Sequence, residues 1–190
     1  MRMVKVIQLF KNETSLIDRA AAGNRDAQQK LYEIHSPKML SVCRQYIKDL
    51  HHAEEVMLNG FFKVFTHLKD FKAEGSFEGW IRRIMIREAI SFLRQYKKLD
   101  FHEDLGFESK EVFNNINSEM DVADIQNVID TLPEGYKMVF VLYAVEGYKH
   151  TEIAKMLDIT EGTSKSQLFK ARKMLQGKLK KINSTSYGTT

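Results

Sequence analysis

The chain has 190 residues, 43% apolar and 28% charged, with ten glycines, two prolines and a net charge of +4. That length suffices for a real core in one or two small domains, and the scarcity of proline favours long helices over turn-rich β structure. No apolar run approaches membrane-spanning length, the opening MRMVKVIQLFKNE is too quickly polar for a secretory leader, and the lone Cys43 excludes an internal disulfide, so a cytoplasmic location is expected.

Apolar spacing predicts helices over 16–23, 27–49, 53–71 and 77–97. Pro37 falls inside the second, where a kink or break is expected. In the fourth, Trp80, Ile81, Ile84, Met85, Ala89, Phe92 and Leu93 recur at i, i+3 and i+4, while Arg82, Arg83, Arg87 and Arg94 take the remaining faces. The loop KAEGS, residues 72–76, precedes it, with Gly75 free to turn and Ser76 placed to cap. Periodicity is then lost over 100–121, where acids and asparagines gather. Helices resume over 122–132, 134–146, 150–157 and 160–181, and the tail from 182 to 190 reads as disordered. No strand pattern appears, so the chain is expected to be all-α: domains over 1–99 and 122–181 joined by an acidic, flexible linker over 100–121.

Charge follows the same division. Residues 1–99 carry 18 Lys/Arg against 11 Asp/Glu, residues 100–121 carry 1 against 7, and residues 122–190 carry 10 against 7. The basic–acidic–basic layout suggests two modules that bind a polyanion and a spacer that does not.

The last two helices are joined only by Asp158, Ile159 and Thr160. Ile153, Ala154 and Leu157 form the inner face of one, and Leu168, Ala171 and Leu175 that of the other. A small residue at 154 and a short turn give a helix-turn-helix, whose second helix enters the major groove by its N-terminal end. That end, TEGTSKSQ, is rich in short hydrogen-bonding side chains suited to base edges. Ser166, Phe169, Lys170 and Lys173 are expected outward. Two features depart from the usual pattern: Asp158 stands where glycine is common, and Ser164 where an apolar residue is usual.

The segment TLPEGYKMVFVLYAVEGYKHTEIAKMLDITEGTSKSQLFKARKML resembles the minus-35-binding domain of extracytoplasmic-function sigma factors. That family reads close to L-P-x-x-x-R-x-V-F-x-L, E-G-x-x-x-x-E-I-A and G-T-V-K-S-R-L-x-R-A-R. The segment HHAEEVMLNGFFKVFTHLKDFKAEGSFEGWIRRIMIREAISFLRQYKK resembles their other domain, through D-A-E-D-V-V-Q-E-x-F-x-K-V-W and F-x-x-W-L-x-R-I-x-x-N. The likeness spans about 16–98 and 122–180.

The resemblance implies a dissociable subunit of RNA polymerase with core polymerase and promoter DNA as partners, held by an anti-sigma factor, monomeric when free and not inserted in a membrane. It places polymerase binding on Glu54, Glu55, Leu58, Asn59 and Phe62. It places minus-10 binding on Phe71, Lys72, Ser76, Arg82, Arg83, Arg87 and Arg94, with Lys97 and Lys98 along the opened strand. It places minus-35 binding on Thr163, Lys165, Ser166, Gln167, Phe169, Lys170 and Lys173. Leu58-Asn59 replaces the family's Gln-Glu pair, and Arg87 stands where asparagine is frequent, so the clamp contact and the minus-10 sequence are expected to be altered. Trp80 reads as a core anchor rather than a stacking platform. The linker is either a nucleic-acid mimic inside the polymerase or a solvated tether.

A stand-alone helix-turn-helix regulator is the alternative, and it leaves the N-terminal lobe unexplained. An enzyme is not expected: the six histidines are scattered, none lies at HExxH spacing, and no Gly-rich phosphate loop occurs. Neither cofactor nor metal is expected.

Overall fold

The computed structural model describes residues 13–96 and 122–186. The chain divides into two compact units, Met1–Tyr96 and Lys97–Thr190, and the described residues are helical with no strand among them.

In the first unit α1 covers 13–21, α2 Arg25–Tyr46, α3 Leu50–Thr66 and α4 Phe77–Tyr96, with a 3-10 turn at Leu68–Asp70. α2 and α3 each start at a polar cap that the apolar pattern does not reveal. Asn24 Oδ1 accepts from Ala27 N at 2.8 Å, and Asp49 Oδ1 accepts from His52 N at 2.9 Å, so α2 and α3 begin two and three residues before the apolar repeat. The break expected at Pro37 does not occur; α2 runs through it. Glu33 and Pro37 lie on the exposed face, so the carbonyl that loses its donor faces water, while Leu31, His35, Met39 and Val42 hold the opposite face in the core. The core is built where α2, α3 and α4 pack together, from Leu31, Met39, Tyr46, Val56, Phe61, Ile81, Met85, Ile86 and Leu93. Lys38–Glu78 at 2.6 Å and Lys63–Glu88 at 2.7 Å tie α4 to α2 and α3.

In the second unit α5 spans Val122–Ile129, α6 Glu134–Phe140, α7 His150–Leu157 and α8 Glu161–Ser186. The helix expected over 134–146 changes character at Val141, where Val141–Val145 form a π turn with Glu146 N bonded to Val141 O at 3.0 Å. α8 continues to Ser186, so residues 182–186 of the expected tail are helical; Ile182–Ser186 contains neither proline nor glycine to stop it. The linker, with Lys97 and Lys98, and the last four residues lie outside the described residues.

Among the described residues a charged pair lies in the core: Lys137 Nζ is 2.6 Å from Asp130 Oδ1, with both side chains 3% exposed. The pair ties the end of α5 to α6. Asp158 adopts the left-handed conformation at φ 57°, which supplies the turn between α7 and α8 without glycine. Among the described residues no helix is long and apolar enough to cross a membrane.

Candidate nucleic-acid interface

On α4 the buried residues are Phe77, Ile81, Met85, Ile86, Ala89, Ile90 and Leu93. With ~3.6 residues per turn, Arg83, Arg87 and Arg94 fall on one stripe at i, i+4 and i+11, opposite that core face, and all three are exposed. Arg83 also donates from Nε to Gly79 O at 3.3 Å. Arg82 does not share the stripe. It is half-buried toward the core side, so sequence reading grouped four arginines where the helix aligns three.

The loop before α4 is exposed from Lys72 to Ser76. Ser76 caps as expected, its Oγ accepting from Gly79 N at 3.1 Å. The turn itself falls elsewhere: Ala73, not Gly75, has the positive φ, at 56°. Beneath the loop, Phe71, Phe77 and Trp80 form one aromatic cluster, with Phe71 5.2 Å from Phe77, 5.5 Å from Trp80, and Phe77 stacked on Trp80 at 5.9 Å. Phe77 is buried; Phe71 and Trp80 are half-buried, so Trp80 anchors the cluster while keeping an open edge. His35 meets Phe77 edge-on at 5.4 Å, and burial pushes its pKa below the usual histidine value.

On α3, Glu54, Glu55, Leu58, Asn59 and Phe62 are all exposed. Leu58 and Phe62, one turn apart, are 53% and 71% exposed, which makes this an apolar ridge with acids at one end.

On α8 the expected residues separate. Lys165 and Lys173 are exposed, and Ser166 and Phe169 are half-exposed on the same outward face. Thr163 and Gln167 are not on it. Thr163 is 7% exposed and hydrogen-bonds to Thr160, and Gln167 is 1% exposed with neither amide atom paired. The helical period decides this. Residues 163, 167 and 171 share one side with Ser164, Leu168 and Leu175, which pack against α6 and α7. Lys170 sits on the flank, half-buried, with its ammonium 5.9 Å from the centre of the Tyr136 ring.

Three features escaped sequence reading. Arg172 lies over Tyr143 at 5.6 Å on the other flank of α8, and Tyr143 stacks on His150 at 4.6 Å. Ser164, fully buried, hydrogen-bonds to His150 Nδ1 at 2.9 Å, which explains how a hydroxyl fits at an apolar position. Glu161 pairs with Lys165 at 2.7 Å. The i, i+4 spacing of Glu161 and Lys165 was the one available signal; the other two pairings cross between helices.

Comparison with known proteins matches residues 31–99 to the model for sigma-70 region 2, and residues 123–175 to that for sigma-70 region 4. The chain is 24% identical over 183 residues to the ECF RNA polymerase sigma-E factor of Haemophilus influenzae, covering 90% of this chain and 96% of that one. It is 24% identical over 180 residues to the ECF RNA polymerase sigma factor SigW of Bacillus subtilis, covering 87% and 96%. The fold is shared with the sigma factor RpoE of Bartonella quintana, solved with the anti-sigma factor NepR. That match has a TM-score of 0.52 at 18% identity and covers 81% of this chain and 96% of that one.

Proposed function

This chain belongs to the extracytoplasmic-function family of RNA polymerase sigma factors, and from that premise we propose how its two units divide the work. The protein binds core RNA polymerase, directs it to promoter DNA and so initiates DNA-templated transcription. Residues 1–99 engage the polymerase clamp and the minus-10 element, residues 122–181 the minus-35 element, and residues 100–121 connect them in the cytoplasm. The acids and apolar pair of α3, from Glu54 to Phe62, meet the clamp. An anti-sigma factor, as in the Bartonella quintana complex, is the partner that would withhold the chain from polymerase.

The observation that carries this reading is the stripe of Arg83, Arg87 and Arg94 turned away from the core of α4, beside an exposed loop set over aromatic rings. Arginines so aligned suit the phosphates of a strand running along the helix. A base lifted from that strand loses stacking and pairing worth a few kcal/mol, and the half-buried Phe71 beside Lys72 and Ser76 offers a face to recover part of it. On α8, Phe169 can meet a thymine methyl, Lys165 and Ser166 base edges, and Lys173 a phosphate.

Promoter opening tests the division. With core polymerase present, Arg87→Ala should reduce permanganate reactivity of unpaired minus-10 thymines more than it reduces binding of closed duplex. Equal opening by variant and parent would remove the strand-binding role of α4.

A further inference from the structure

α8 opens with an acid that its cap does not need. Thr160 does the capping: its Oγ1 accepts from Thr163 N at 3.0 Å, and its carbonyl accepts from Ser164 N at 3.1 Å. Glu161, the first residue of the helix, is exposed, and its carboxylate accepts a 2.7 Å bond from Lys165 Nζ one turn later. That bond draws the Glu161 pKa below the usual carboxylate value. Lys165 belongs to the outward face with Ser166, Phe169 and Lys173. Gly162 beside Glu161 is exposed and carries no side chain to hold a surface away from the pair.

A carboxylate on a face that meets DNA is repelled by every phosphate it approaches. A base edge that presents an amino group turns the repulsion into a hydrogen bond. In the major groove cytosine presents its N4 amino group, from which glutamate accepts, and guanine presents O6 and N7, to which lysine donates. A C·G pair sets that amino group directly beside O6. The Glu161–Lys165 pair sets an acceptor directly beside a donor, in complementary order. An A·T pair also places an amino group beside a carbonyl, but the thymine methyl crowds the lysine position, and one oxygen replaces two acceptors.

We infer that Glu161 and Lys165 together read one C·G base pair of the minus-35 element, Glu161 accepting from cytosine N4 and Lys165 donating to guanine O6 or N7. The inference rests on the reading of α8 as the minus-35 reader and adds a specificity-determining acid to it.

The test is selection of holoenzyme-bound promoters from a library randomised across the minus-35 element, with the minus-10 element fixed. The parent should show one position with a C·G requirement. Glu161→Ala, with its helix content checked by circular dichroism, should weaken that preference about five- to hundredfold and leave the other positions as they were. Preferences unchanged within about twofold at every position would overturn the inference alone. So would a uniform loss at all positions, which is what a damaged helix start would give. A parent with no preference anywhere in the element would overturn the inference together with the site reading beneath it.

Discussion

Gly60 on α3 faces Met85 on α4, and the contact leaves no room for a methyl group. An alanine Cβ there would lie 2.3 Å from Met85 Sδ and 2.9 Å from its Cε, where ordinary contact begins at 3.4 Å. The thioether must therefore retreat by about 1 Å, and Met85 is fully buried, so it must do so inside a close-packed core. Overpacking of this kind costs about 1–3 kcal/mol, while replacing glycine inside a helix returns roughly 0.5–1 kcal/mol. Gly60→Ala should thus destabilise the first unit by up to about 2.5 kcal/mol. In a Met85→Ala background the two crowding atoms are gone, and the same change should stabilise by roughly 0.5–1 kcal/mol. Urea unfolding followed by the fluorescence of Trp80, the single tryptophan, reports this unit alone. An effect of the same sign in both backgrounds would refute the reasoning.

Gln167→Met should stabilise the second unit by about 1–3 kcal/mol in thermal unfolding, since it removes a buried amide with no partner. Minus-35 preference should be retained, and its loss would return Gln167 to the reading face. His150 has a pKa pushed below the usual histidine value, first by burial and then by Lys165 and Arg172. The unfolded chain therefore takes up the proton first, and stability present above pH ~6.5 should fall as the medium is acidified below it. His150→Gln should flatten that dependence in urea midpoints of the second unit read by circular dichroism. Burial pushes the Cys43 thiol up to about 12, so a disulfide reagent at pH 8 should label it only as fast as the first unit unfolds. Above pH ~9 the unfolded thiol ionises first and stability should decline. Rapid labelling of native protein would contradict the burial.

Apolar repeats determined which segments are helical, because a 3.6-residue period buries one face whatever that face packs against, and the loss of that period over an acidic stretch marked the division into two lobes. The same period set the outward arginines of α4 and the left-handed tolerance of Asp158 lay in its own chemistry. Sequence reading failed where it let polarity stand for direction. Thr163 and Gln167 looked like readers because they are polar, yet they lie at i−8 and i−4 from Ala171, on the side that α6 and α7 cover. Only the tertiary structure decided which polar groups found partners: Ser164 is paired because His150 arrives from the start of α7, and Lys137 is tolerated in the core because Asp130 arrives from the end of α5. It also decided that Pro37 does not break α2, since the face it interrupts is the one turned to water. Period and propensity are local and survive in the sequence, whereas burial and pairing depend on segments brought together by the fold.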